Sequence, residues 1–177
     1  MGWEIIVVGS PNSSKTIENF PDADDFKLIN SENFKELEID KLTSVVLMSH
    51  NYAYDLKKFI ELSKYELFYL GILGNKKRKN RLIEDSINFN IELKEKFLNS
   101  VHSPAGIDIN AITPQEIATS IVSQILYESR KNLKMLSNKI AVIILAAGNS
   151  NRMGKIKQLL EWEDKTIIEK IIKLSLS

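Results

Sequence analysis

Thr43-Ser44-Val45-Val46-Leu47-Met48-Ser49 reads as a buried-type strand, a short apolar run rich in β-branched residues. The segments after it decide the fold. Tyr54 to Lys64 puts Leu56, Phe59, Ile60 and Leu62 roughly on one helical face. Leu67 to Leu73 returns to an aromatic and β-branched run closed by Gly74. Lys76-Lys77-Arg78-Lys79-Asn80-Arg81 then opens a helix that runs to about Phe89. Strand, helix, strand, helix predicts an α/β fold with a mostly parallel sheet.

The flanks extend the pattern. Upstream, Glu4-Ile5-Ile6-Val7-Val8 is a short strand ended by the turn signal Gly9-Ser10-Pro11-Asn12, and residues 12 to 25 read as loop. Downstream, a short helix is expected over about Ile91 to Leu98. An ordered loop with Pro104, Gly106 and Asn110 extends from Val101 to Thr113. The clearest helix start comes next: Thr113 can cap, Pro114 takes the first helical position and Glu116 completes a capping box. Ile117, Ala118, Ile121, Val122, Ile125 and Leu126 form its apolar face. Ser129 to Lys139 suits a linker. Ile140 to Leu145 is a further buried strand, followed by a Gly-rich basic loop from Ala146 to Lys157. A last helix carries Ile167, Ile168, Ile171 and Ile172.

The 177 residues are 44% hydrophobic and 27% charged, the proportions of an ordinary folded chain. The longest apolar run, Ile140 to Ala147, is far short of the roughly 20 residues a membrane helix needs. With 24 Lys and Arg against 23 Asp and Glu, the charge is +1, which gives no reason to expect nucleic acid. The chain has no cysteine, so disulfides, thiol catalysis and cysteine zinc sites are excluded. The start Met1-Gly2-Trp3-Glu4 lacks the basic region of a secretory signal, and the expected location is the cytoplasm.

The strongest local signal is Leu145-Ala146-Ala147-Gly148-Asn149-Ser150-Asn151-Arg152-Met153-Gly154-Lys155-Ile156-Lys157. A strand feeds a loop of small residues, where backbone N–H groups can cradle phosphate and cations can neutralise it. Read plainly, it is also a glycine turn with solvated basic residues. It is not a P-loop: five residues separate Gly148 from Gly154, and Ile156 stands where Ser or Thr would hold Mg²⁺.

The loop resembles the LAAGxSxRMGxxKxLL signature of the MobA-like nucleotidyltransferases, matched by Leu145 to Gly148, Ser150, Arg152 to Gly154, Lys157, Leu159 and Leu160. The resemblance implies transfer of a nucleoside monophosphate from CTP with Mg²⁺, in the manner of molybdenum-cofactor cytidylyltransferases. Ala147 and Gly148 would meet the nucleotide, and Arg152 and Lys157 would carry catalysis at its phosphates. Only residues 140–177 belong to this unit, the first β-loop-α element of such a domain.

A second ordered set covers most of the chain. It comprises Phe20-Pro21-Asp22-Ala23-Asp24, Val45 to His50, Phe68 to Gly74, Val101 to Ile109 and Thr113 to Ala118. This set resembles the C-terminal Rossmann-type domain of the XdhC/CoxI family, accessory factors that bind molybdenum cofactor and deliver it to hydroxylases such as xanthine dehydrogenase. The implied partner is the hydroxylase apoenzyme, and the reading allows a homodimer. The expected arrangement is an incomplete Rossmann-like sheet over 1–130, a linker over 131–139 and a transferase segment over 140–177. In this reading the chain starts at the second strand of that sheet, as a piece of a longer fusion or an inactive remnant. No glycine fingerprint precedes that strand and Gly9 stands where an acid would bind a ribose hydroxyl, so NAD is not expected.

Within that reading His50, Gly74, His102 and Asp108 are the candidate cofactor-binding residues. His50 follows a strand at its carboxyl end, where α/β sites gather; as a plain residue it caps a strand. His102 and Asp108 sit in a Pro- and Gly-rich turn that would otherwise be purely structural. Gly74 opens a helix whose N-terminus favours anions, beside Lys76, Lys77, Arg78, Lys79 and Arg81. Such a run is usually a solvated helix face. Asp22, Asp24 and Asp25 read as a solvated acidic turn. With two histidines and no paired spacing, no protein-held metal is expected.

Overall fold

The computed structural model describes residues 3–30, 34–49, 51–131, 141–145, 161–162 and 165–166, the last three stretches by backbone alone. The strands are β1 (Glu4–Gly9), β2 (Asp25–Leu28), β3 (Thr43–Leu47), β4 (Tyr69–Ile72), β5 (Val101–His102) and β6 (Ala141–Leu145). They form one parallel sheet in the order β2-β1-β6-β3-β4-β5. The helices are α1 (Tyr52–Leu62), α2 (Lys76–Asn88), α3 (Glu95–Ser100) and α4 (Pro114–Lys131). A separate antiparallel pair joins β7 (Glu161–Trp162) and β8 (Lys165–Thr166).

Alternation along the strands divides the core into two layers. Ile5 and Val7 of β1, Val46 of β3 and Tyr69 of β4 pack against Ala118, Ile121, Val122 and Ile125 of α4. Ile6, Val8, Val45, Leu47, Leu70 and Ile72 point the other way, onto Phe59 and Leu62 of α1, Leu82 of α2 and Phe97 of α3. Successive strand residues face opposite sides, so a sheet covered twice is buried at consecutive positions and its strands are mostly apolar. All five residues of β3 are buried. This three-layer α/β/α sandwich is the Rossmann-like arrangement expected from the alternating elements.

Local chemistry starts the helices where the side chains dictate. The Asn51 side chain accepts from the Tyr54 amide at 3.1 Å, and that of Asn75 from the Arg78 amide at 3.2 Å. At α4 the Glu116 carboxylate accepts from the amides of Ile112 (2.7 Å) and Thr113 (2.8 Å), and its own amide donates to Thr113 Oγ1 at 3.3 Å. The capping box read from the sequence is therefore formed.

Three elements depart from the sequence reading. Residues 12 to 25 are mostly loop, but the chain then forms β2, which is only half buried and lacks a clear apolar pattern. The helix expected from Ile91 begins at Glu95, after Asn90 takes a left-handed φ of 58°. The loop from Val101 opens with the two-residue β5, whose pairing to Leu70 and Gly71 has no local signature. Asp24 is not merely solvated: its Oδ2 accepts from the Ile5 amide at 2.7 Å, clamping the start of β1. The expected last helix lies outside the described residues, as does most of the expected linker.

Candidate cofactor cleft

The carboxyl ends of β4 and β5 open into a cleft of about 820 Å³. Its floor runs from Leu73 through Gly74 and Asn75 to Lys76 and Lys77 at the start of α2. Its opposite wall is the loop after β5, including Gly106 and Asp108, backed by Ile117 and Ser120 of α4. Open α/β sheets bind ligands at this end of the strands.

The backbone of both walls is held by specific contacts. Leu73 donates to the Leu47 carbonyl at 3.0 Å, so the floor is tied to β3. Gly74 has φ +141°, and a Cβ there would lie 3.0 Å from Arg78 Cδ. The opposite loop begins with a cis Ser103–Pro104 peptide. The Ala105 amide donates to the Ile72 carbonyl at 3.0 Å and the Ile107 amide to the Ser120 carbonyl at 3.1 Å. Gly106, at φ +104°, donates its amide to Gln124 Oε1 at 2.8 Å, and the Tyr69 hydroxyl donates to the same oxygen at 2.6 Å. Asp108 Oδ1 accepts from the Asn110 amide at 3.2 Å, which turns the loop tip.

The basic run divides by function. Lys76 and Lys77 are exposed and line the cleft. Arg78 turns inward, where its Nη2 pairs with the buried Asp55 carboxylate and donates to the Ser49 carbonyl at 3.2 Å. Asp55 also accepts from the Ser49 hydroxyl. Lys79 donates to the Val101 carbonyl at 2.7 Å, and burial holds its ammonium below the usual lysine range. Arg81 lies over the Tyr52 ring at 4.3 Å. Two lysines and the N-terminal end of the thirteen-residue α2 thus face the cleft, which favours an anion there.

Among the sequence candidates, Gly74 and Asp108 are brought together in this cleft. His102 is close by but does not line it. Its half-buried ring stacks on Tyr69, centroids 4.7 Å apart, and burial lowers its pKa. His50, Ala147, Gly148, Arg152 and Lys157 lie outside the described residues. Sequence reading missed Gln124 and Ser120. Gln124 is a polar interruption beside the apolar stripe of α4, a signal visible only once that stripe is aligned. Among the described residues no group of three or more His, Asp or Glu is placed to hold a metal ion.

The XdhC Rossmann domain family matches residues 1–125. The chain belongs to this family. The MobA-like NTP transferase domain family matches residues 142–176. The chain is similar to a Bacillus subtilis (strain 168) protein described as a probable xanthine dehydrogenase subunit, 27% identical over 136 residues, which covers 76% of this chain and 38% of that protein. It is also similar to the "Uncharacterized protein YqeB" of Escherichia coli (strain K12), 26% identical over 130 residues, 71% of this chain and 23% of that one. A crystal structure of a xanthine dehydrogenase from Bacillus halodurans superposes with a TM-score of 0.61 at 26% identity, over 77% of this chain and 45% of that chain. The chain therefore spans less than half the length of each of these relatives. Among its described residues no helix is long and apolar enough to cross a membrane.

Proposed function

We propose that this chain is the cofactor-binding part of an accessory protein that matures molybdenum hydroxylases of the xanthine dehydrogenase type. Its cargo would be molybdenum cofactor, carried to the hydroxylase apoenzyme in the cytoplasm. The observation that supports this reading is the cleft at β4 and β5. It joins an α2 N-terminus and two lysines to backbone turns at Gly74 and Gly106, both at positive φ. These groups suit the phosphate and the polar edge of a pterin. Lys76 and Lys77 would neutralise the phosphate, while Gly74 would allow it near the backbone. Asp108 would accept from the pterin ring. His102, which stacks on Tyr69, would flank the same end of the sheet, and His50 is kept as a candidate from the sequence alone. The exposed Ile107, Ile109 and Ile112 at the rim offer apolar surface to the apoenzyme.

Fluorescence titration of the full chain with molybdopterin tests the proposal. Saturable binding is expected, weakened about thirtyfold or more in Lys76→Ala/Lys77→Ala, since charge-assisted contacts contribute roughly 1 kcal/mol each or more. Absence of saturable binding, or equal binding by the double variant, would refute it.

The match over residues 142–176 favours a second reading, nucleotidyl transfer from CTP with Mg²⁺ through Arg152 and Lys157. Release of pyrophosphate from CTP, abolished in Lys157→Ala, would support it.

A further inference from the structure

A smaller cavity of about 200 Å³ opens beyond the carboxyl ends of β1 and β2, lined by Pro11, Asn30, Tyr54, Lys57, Lys58 and Glu61. It shares no residue with the cleft at β4 and β5. Its volume is several times the roughly 30 Å³ share of one water but below the roughly 300–1,000 Å³ of a cofactor pocket. It suits a molecule of a few non-hydrogen atoms.

Lys58 and Tyr54 stand one turn apart on α1, and Lys58 is only 3% exposed. The Lys58 Nζ lies 4.7 Å from the Phe34 ring centroid and 5.1 Å from that of Tyr54. It donates to the Ile29 carbonyl at 3.1 Å, and the Tyr54 hydroxyl donates to the same oxygen at 3.2 Å. That carbonyl is fixed, because the Ile29 amide donates to the Gly9 carbonyl at 3.1 Å. A buried amine and a phenol proton therefore meet at one point beside a small cavity. Two further charged residues complete the lining. The Glu61 carboxylate is held by Lys64 at 2.7 Å, while Lys57 is exposed.

We infer that this cavity is a covalent carbonyl site, in which Lys58 Nζ adds to a small aldehyde or ketone whose carboxylate faces Lys57. The Nζ lone pair forms the N–C bond as the carbonyl π pair moves to oxygen. That oxygen takes the Tyr54 proton, and the nitrogen returns one to the phenolate. The carbinolamine then breaks its C–O bond, loses water and leaves a C=N bond. One amine and one carbonyl give one imine and one water, with no oxidant or reductant. Burial supports both roles: it pushes Lys58 down to about 8 and Tyr54 up to about 12. Near pH 8 the amine is about half neutral, against about one in 300 for an amine at 10.5, while the phenol keeps its proton. Lower basicity costs reactivity, by about tenfold over this interval on the slope known for thiols, so a gain of about tenfold remains.

Reductive trapping on the full chain tests the inference, with glyoxylate as the carbonyl and sodium cyanoborohydride at pH 8, mapped by mass spectrometry. Lys58 is expected to be labelled saturably and about tenfold faster than Lys57, a preference that vanishes in urea. Tyr54→Phe keeps the ring and should slow Lys58 labelling by about tenfold or more. Acetaldehyde, which lacks the carboxylate, should half-saturate only at a several-fold higher concentration. Labelling of Lys58 no faster than that of Lys57, or a preference that survives in urea, would overturn the site and leave Lys58 a structural cation under two rings. An unchanged rate in Tyr54→Phe would overturn the proton transfer, and equal half-saturation by acetaldehyde the carboxylate contact.

Discussion

Gly106→Ala puts the geometry of the cleft wall to a direct energetic test. A Cβ at position 106 would lie 2.2 Å from Ser120 Oγ, 3.1 Å from Ser120 Cβ and 3.2 Å from the Ile121 amide nitrogen. Rotating the Ser120 hydroxyl relieves the first contact and loses its 2.8 Å bond to the Ile117 carbonyl. The other two contacts remain, because they belong to the body of α4. Moving that helix would disturb the buried Ile121 and Ile125. Overpacking of this kind costs about 1–3 kcal/mol. A φ of +104° costs an L residue about 1–3 kcal/mol more, and the Gly106 amide, bonded to Gln124, resists relaxation. The expected loss is about 4 kcal/mol, or a fall in Tm of roughly 10 °C for a chain of this size. Urea unfolding followed by circular dichroism measures it. Ser120→Ala in the same background removes the closest contact but leaves the others and the backbone strain, so the double variant should regain about 1–2 kcal/mol. A loss below about 1 kcal/mol in Gly106→Ala, or no recovery on adding Ser120→Ala, would refute the account of this wall.

Two other perturbations probe the frame around the site. Arg78→Met removes the guanidinium from a carboxylate, Asp55, that is only 1% exposed. It should cost about 3 kcal/mol in chemical denaturation, and Asp55→Leu/Arg78→Met should recover much of that loss. Lys58 is buried under the Phe34 and Tyr54 rings, with its Nζ donating to the Ile29 carbonyl at 3.1 Å. Burial pushes its pKa down to about 8, partly opposed by Glu61. Between that value and the unfolded 10.5 the unfolded chain binds more protons, so stability rises with pH through this window. A gain of about 2 kcal/mol from pH 8 to 10 is expected, and Lys58→Met should flatten the profile, as read by denaturation at each pH.

How much of the structure is legible in the sequence depends on the range of the interactions. β1, β3, β4, α2 and α4 are legible because each is set by a local pattern: a β-branched run, a helical stripe, a cap. The place of Gly74 at a strand end is legible because a strand, a glycine and a helix start lie within a few positions of each other, whereas its meeting with Asp108 in one cleft is not. The roles within the basic run are not. Lys76 and Lys77 reach the cleft while Arg78 turns inward, and that difference depends on Asp55, 23 residues earlier in the chain. Gln124 joins Tyr69 and Gly106 across separations of 55 and 18 residues, which no periodicity encodes. The strand order is the largest case. An apolar pentapeptide at 141–145 announces a buried strand, but not between which neighbours. That is decided by the unmet backbone groups of β1 and β3, which lie far earlier in the chain.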